Sequence, residues 1–287
     1  MNEIAIITQG ITQQANTDDQ LLALWVHGRP KTTRRSYLAN ARRLLDFSAK
    51  DLQGLTLADL QKFVDSLAVL SLSTQKQIIA SVKSLLTFSN KIGYLPFNVG
   101  AVLRLPKTKD TLAERILTEA EVITMLHTTK NPRDALLLRM LYATAARVSE
   151  LCGLTWADVQ PNGDSGQVTL FGKGSKTRAV KLSAPTWEAL QAARQNAPVD
   201  RPVFVSRKGG KLDPSQVHRI VRAAARRAGI KGNVSAHWLR HSHASHALER
   251  GATVALVRDT LGHASLATTS RYTHAKPNDS SALHLII

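Results

Sequence analysis

Apolar side chains recur at helical spacing in four successive blocks between residues 17 and 104, and many of the polar positions between them are basic. The first block, TDDQLLALWVHG, predicts a helix capped by Thr17, with Asp18 and Asp19 in the first turn, where the helix dipole favours negative charge. Arg29 and Pro30 end it. In the second, KTTRRSYLANARRLLDFSA, the residues Tyr37, Ala41, Leu44 and Leu45 form one stripe, while Arg34, Arg35, Arg42 and Arg43 fall largely off it. Such a helix has an apolar side and a basic side. The third block, TLADLQKFVDSLAVL, follows a Thr56 cap, and the fourth, STQKQIIASVKSLLTFSNKIG, runs from Ser73 to a stop at Gly93. No strand pattern interrupts them.

The stretch LPKTKDTLAER, residues 105–115, is polar and charged without apolar periodicity and is expected to be a linker. Beyond it TEAEVITMLHTTK predicts a helix, and PRDALLLRMLYATAARVSELCGL predicts another that opens on Pro132. The period then changes: QVTLF and TRAVKL are β-prone and separated by GKGSK, a five-residue hairpin loop. Helical patterns return at APTWEALQAARQN, DPSQVHRIVRAAARRAG, SAHWLRHSHASHALERG and TVALVRDTLGH. The expected fold is mainly α with a small β-sheet. It divides into an N-terminal extension (1–16), an all-helical domain (17–104), the linker (105–115) and an α+β domain (116–287). There are no internal repeats or low-complexity tracts.

Composition adds a partner. At 43% hydrophobic residues the chain is that of a folded protein, and 38 Lys and Arg against 21 Asp and Glu leave a net charge of +17. The excess is spread over both halves, with 12 basic and 7 acidic groups up to residue 105 and 26 and 14 after it. A long polyanion such as nucleic acid fits, because Lys and Arg that neutralise phosphates release condensed counterions. No apolar run approaches the length of a bilayer span, no signal peptide is expected at MNEIAIITQG, and the single Cys152 excludes an internal disulfide framework. A cytoplasmic location follows as the default.

The densest chemistry is HWLRHSHASH, residues 237–246. His237 and His241 share a helical face, but a zincin helix needs a glutamate general base between its histidines, and here Trp238, Leu239 and Arg240 intervene. No metal is expected. Phosphate suits the helix better: His237 and Arg240 at i and i+3 can both donate to one anion, and arginine's fork matches phosphate oxygens. His243 and His246 are expected to be packing or hydrogen-bonding residues. Arg147, in ATAARVSEL, is expected to face a ligand or a carboxylate such as Glu150, since an unpaired guanidinium among small apolar residues is costly. Lys173 sits at a hairpin tip with glycine on either side, and His263 and Tyr272 lie nine residues apart in LGHASLATTSRYTH. GKGSK is not a P-loop, because glycine follows its lysine and the preceding glycine is wrongly spaced. No carboxylate cluster of a metal-dependent nuclease is found.

Together these positions resemble the tyrosine recombinases, or phage integrase family. The resemblance rests on Ala146-Arg147-Val148-Ser149-Glu150-Leu151, on Gly172-Lys173-Gly174-Ser175-Lys176, on the H-x-L-R-H box His237 to His241, and on Leu261-Gly262-His263 followed by Tyr272. It covers residues 140–274, and the four-helix region resembles the family's core-binding domain more weakly. His243 departs from the aromatic or apolar residue that many relatives carry there.

The resemblance implies a core-binding domain and a catalytic domain that form a C-shaped clamp on DNA, and a site-specific recombinase of the simple Xer-like kind, without an arm-binding domain. It implies that Tyr272 attacks a scissile phosphate to give a 3′-phosphotyrosyl link, with Arg147 and Arg240 on the non-bridging oxygens and Lys173 as general acid. His237 is then placed to manage the tyrosine's proton, His263 to hydrogen-bond the phosphate, and Glu150 to orient Arg147. Neither metal, cofactor nor ATP is implied. The implied partners are double-stranded DNA carrying specific sites and a homo-tetramer, or a hetero-tetramer with a paralogue, that passes through a Holliday junction. The tail SSALHLII (280–287) docks on a neighbouring subunit or on its own domain. Candidate phosphate contacts outside the site are Arg34, Arg35, Arg42, Arg43, Lys76 and Lys83. Type IB topoisomerase-like relaxation and a catalytically silent DNA-binding regulator are the alternatives.

Overall fold

The computed structural model describes residues 14–172 and 176–272. Lys173 and the tail SSALHLII, singled out above, lie outside the described residues. The chain divides into two compact units, Met1–Lys109 and Asp110–Ile287, a division inside the 105–115 stretch.

The first unit is helical because its caps and stripes agree. α1 (Asp18–Val26) starts where the Thr17 hydroxyl accepts the N–H of Gln20. α2 (Lys31–Ser48) follows, and α3 (Leu57–Ser66) opens on a capping box between Thr56 and Asp59. A 3-10 turn, Leu67–Val69, leads into α4 (Leu72–Lys91), which is capped by Ser71, two residues earlier than expected. The apolar stripes converge on Trp25, Leu44, Leu60, Phe63, Ile79 and Leu85, each 2% exposed or less. Burying side chains of this size is worth about 1.5–3 kcal/mol each. Arg34, Arg35, Arg42, Arg43 and Lys76 are exposed.

Lys83 departs from the expectation of a free cation. Its ammonium donates to the carbonyls of Gly100 (3.1 Å), Ala101 (2.8 Å) and Leu103, so all three N–H donors tie the segment after α4 to that helix.

In the second unit α5 (Glu119–His127) begins at a Thr118–Glu121 capping box, after a 3-10 turn at Ala113–Arg115. α6 (Pro132–Ala143) opens on Pro132 behind the Asn131 cap. The long helix expected over 132–154 is broken. Ala145 takes a left-handed φ of 49°, Arg147 is the N-cap residue of a separate short helix, α7 (Val148–Gly153), and the signature arginine is therefore not in a helix interior. Two groups hold the break. Glu150 accepts the Arg147 backbone N–H at 2.7 Å, and Arg240 donates to the Ala145 carbonyl. A left-handed alanine costs on the order of 1 kcal/mol, which these bonds offset.

A 3-10 turn at Trp156–Asp158 leads into a three-stranded antiparallel sheet of β1 (Val159–Asn162), β2 (Ser165–Phe171) and β3 (Thr177–Lys181), in that order. β1 was not expected: VQPN has neither alternation nor β-branching beyond its valine, and pairing with β2 makes it a strand. Then come α8 (Ala184–Arg194), α9 (Pro214–Arg227), α10 (Ala236–Glu249), α11 (Val254–Leu261) and the short α12 (Leu266–Ser270). The core joins Leu137, Leu138 and Leu141 of α6 to Val168 and Leu170 of β2, Val217 and Val221 of α9 and Leu239 of α10. No described helix is long and apolar enough to cross a membrane.

Replacing Lys83 by methionine should lower the stability of the first unit by about 1 kcal/mol, about 4–8 °C in Tm for a domain of this size, and leave the salt dependence of DNA binding unchanged. Arg42→Gln should do the reverse, flattening the salt slope by about one unit with little change in Tm. Calorimetry and salt-titrated binding check the pair.

Candidate active site

The break between α6 and α7 puts Arg147 where strand, helix and loop meet. Glu150, one turn into α7, has a side chain only 1% exposed and accepts from two arginines. Arg147 Nη1 reaches Oε1 at 2.8 Å, while Arg178 spans both oxygens, with Nη1 to Oε1 at 3.0 Å and Nη2 to Oε2 at 2.8 Å. Burial alone pushes this carboxyl up, but hydrogen bonds from Arg178, from the Arg147 backbone and from its guanidinium win, and its pKa lies below the ordinary value.

Arg178 also binds the last turn of α11. Its Nε donates to the Thr260 carbonyl at 2.6 Å, and Gly262, left-handed at φ 62°, lies against its guanidinium. A Cβ there would lie 3.3 Å from Arg178 Cδ and Nη1, on a backbone that L side chains rarely adopt. The Gly262 carbonyl in turn meets Arg147 Nη2 at 3.5 Å. Gly172, directly after β2, lies against Glu150 and Arg147.

Arg240 comes from α10 and is 4% exposed. It donates to the carbonyls of Ala145, in the break after α6, and Leu261, the last residue of α11. Burial, then the neighbouring Arg147 and Arg178, pulls its pKa down to about 10, so it stays charged at neutral pH. Arg147 is more accessible, its side chain 34% exposed. Three guanidiniums and one carboxylate leave this cluster cationic.

The histidines around it are held neutral. His263 has its pKa at about 4, through burial and then Arg240, Arg147 and Arg178, and its Nδ1 lies 2.9 Å from Thr269 Oγ1. His237 is exposed, yet partial desolvation, Arg240 and Arg147 keep its pKa below the usual range. Tyr272 is 5% exposed, its ring parallel to that of His263 with centroids 6.5 Å apart. Burial raises its phenol above the ordinary value. The partner of that phenol is His241, whose Nδ1 is 2.8 Å from Oη, rather than His237, one turn earlier. His243 and His246 take packing roles: both bond Tyr142, one at its carbonyl and the other at its hydroxyl, each at 2.8 Å.

The structure thus brings Arg147, Glu150, His237, Arg240, His263 and Tyr272 to one face of the second unit. Sequence reading missed Arg178. The available signal was strand periodicity: Arg178 lies two residues before buried Val180 and pairs with buried Leu170, so it stands on the inward face of β3, where an arginine needs a buried partner. It also missed an open groove of about 670 Å³, lined by Arg115, His218, Arg219, Arg222 and Trp238. The signal there was the strong basic amphipathicity of α9. Among the described residues no three His, Cys, Asp or Glu side chains form a metal-binding group.

Comparisons with known proteins identify the family and the fold. The profile of the phage integrase family matches residues 115–279. "Tyrosine recombinase XerC" of Mycobacterium tuberculosis (strain ATCC 25177 / H37Ra) is 34% identical over 288 residues, covering 93% of this chain and 95% of the relative. The crystal structure of XerH site-specific recombinase bound to palindromic difH substrate superposes with a TM-score of 0.76 at 24% identity, covering 94% of this chain and 84% of that one. A lambda integrase tetramer bound to a Holliday junction gives 0.71 at 16%, covering 88% and 79%. The chain belongs to the phage integrase family, and it is a site-specific tyrosine recombinase of the Xer type.

The folded Glu150 carboxyl titrates below its unfolded value. Its contribution to stability is therefore complete above the ordinary glutamate pKa of 4.5 and is lost as pH falls through the folded value. Urea unfolding from pH 7 to pH 3 should show that loss in the native protein and not in Glu150→Gln. At pH 7, Arg178→Met should cost about 3–5 kcal/mol, because it leaves a buried carboxylate without its bidentate partner.

Proposed function

We propose that the second unit carries out DNA strand exchange through Tyr272, and that the observation carrying this reading is the burial of one phenol beside Arg240, which Arg147 and Arg178 also neighbour. Tyr272 Oη attacks the scissile phosphorus as the bond to the 5′-oxygen breaks, giving a 3′-phosphotyrosyl ester. The ester conserves the bond energy, so a second strand's 5′-hydroxyl reverses the step without ATP. Arg147 and Arg240 hold the non-bridging oxygens; with Arg178 and Glu150 the set carries two net positive charges, matched to the charge that grows in the transition state. Fixed cations take the part a metal would play, and no metal or cofactor enters the scheme. Lys173 protonates the leaving 5′-oxygen, His237 manages the phenolic proton, and neutral His263 hydrogen-bonds the phosphate. Glu150 orients Arg147.

On this reading residues 17–104 are the core-binding domain, 116–287 the catalytic domain and 105–115 the linker between them, after an extension at 1–16. The exposed Arg34, Arg35, Arg42, Arg43 and Lys76 contact DNA phosphates. The working assembly is a homo-tetramer, or a hetero-tetramer with a paralogue, on two synapsed sites, acting on cytoplasmic, nucleoid DNA through a Holliday junction. The lambda integrase tetramer on such a junction supports this assembly by its shared fold. Topoisomerase-like relaxation and the silent regulator are not favoured, since the relatives are recombinases and the described catalytic positions carry the residue types the chemistry needs.

Covalent trapping tests the reading. A nicked duplex carrying a site that the protein itself selects from random DNA, incubated without metal or ATP, should yield a protein–DNA adduct that Tyr272→Phe does not form. Binding without any adduct from the native protein would point instead to the regulator. Deleting 280–287 should leave single-site binding intact and impair recombination; unimpaired recombination would sink docking of the tail on a neighbour.

A further inference from the structure

Tyr272 is the last described residue, and it follows a helix of only five residues. It belongs to one buried cluster with Leu112, Ile116, Ala145, Ala244, Val257 and Leu261, and its ring lies along that of His263. Such packing sets the plane of the ring, but apolar contact gives the hydroxyl no direction. Direction comes from His241 Nδ1, 2.8 Å away, and among the described residues no other hydrogen bond holds Oη.

We propose that His241 is a positioning residue for Tyr272, its Nδ1 accepting the phenolic O–H and fixing Oη beside the arginine cluster. The inference rests on the reading of Tyr272 as the nucleophile. His241 is built for acceptance. Its ring centroid lies 5.7 Å from that of Tyr272 and 6.3 Å from that of His237, with Arg115, Arg240 and Arg271 also facing it. Burial first, then those neighbours, holds its pKa at about 4. A neutral imidazole that accepts at Nδ1 carries its proton on Nε2. In this arrangement His241 accepts the proton's hydrogen bond and the proton itself stays on oxygen, in keeping with burial, which raises the phenol above its ordinary pKa. His241 holds the nucleophile, and removal of the proton falls to the neighbouring His237.

Two replacements of similar polarity separate this role from packing. In His241→Asn the side-chain oxygen reaches the place of Nδ1; in His241→Gln it reaches that of Nε2. With the nicked duplex in single turnover, His241→Gln should slow adduct formation about 100-fold at unchanged DNA affinity, and His241→Asn should recover most of the rate. Both should keep the native pH profile. Equal rates in the two variants, or a rate in either that climbs with pH as after loss of a base, would overturn the proposal. Nitrogen NMR of histidine-labelled, DNA-free native protein gives an independent reading on an unperturbed fold. His241 should be the Nε2–H tautomer, with an Nδ1 resonance that moves in Tyr272→Phe; an unmoved resonance refutes the bond. Native protein that shows this response but forms no adduct refutes the nucleophile assignment instead, a distinguishable result.

Discussion

One buried carboxylate organises the catalytic unit. Glu150 has almost no access to water, and a charge so placed is costly unless its partners are close and well aimed. It meets that condition with Arg147 from its own helix cap and Arg178 from β3. Arg178 reaches on to the Thr260 carbonyl, which connects the sheet to the end of α11, and the LGH turn follows directly. Remove the carboxylate and two guanidiniums repel one another across the space where an anion is to bind. Keep it, and they are fixed in place while the set as a whole remains cationic.

The surrounding electrostatics follow from that arrangement. Burial first, and then the neighbouring Arg240 and Arg147, depress the pKa values of His237 and His263, so these imidazoles are hydrogen-bonding groups at neutral pH rather than further cations. The division is useful chemistry: permanent charge stabilises phosphate, and neutral rings place and move protons. Strain accompanies it. The left-handed Ala145 bends the chain so that its carbonyl meets Arg240 and Arg147 emerges at a helix start rather than on a helix side.

Much of this was legible in the chain. Thr17, Thr56 and Pro132 marked helix starts because caps act locally, and the apolar stripe of α2 revealed its basic side because amphipathicity is a local period. The six catalytic candidates were visible through family resemblance, and the described ones converge. What escaped depends on partners distant in sequence. The break at Ala145 needs Arg240, 95 residues away, and the fate of Lys83 needs carbonyls of the segment after its own helix. Arg178 was hidden because a basic residue in a short strand resembles a solvated one until its partner is known. The Tyr272–His241 bond was hidden because four histidines crowd one helix, and only the fold selects which of them faces the phenol.

A carboxyl-resolved NMR titration of Glu150, identified by comparison with Glu150→Gln, tests most directly whether this carboxylate organises the site. The account predicts a pKa below the ordinary glutamate value that rises when Arg147 is replaced by methionine. A carboxyl titrating at or above the ordinary value, indifferent to that replacement, would mean that desolvation prevails over the two arginines and that the site is held together by something else.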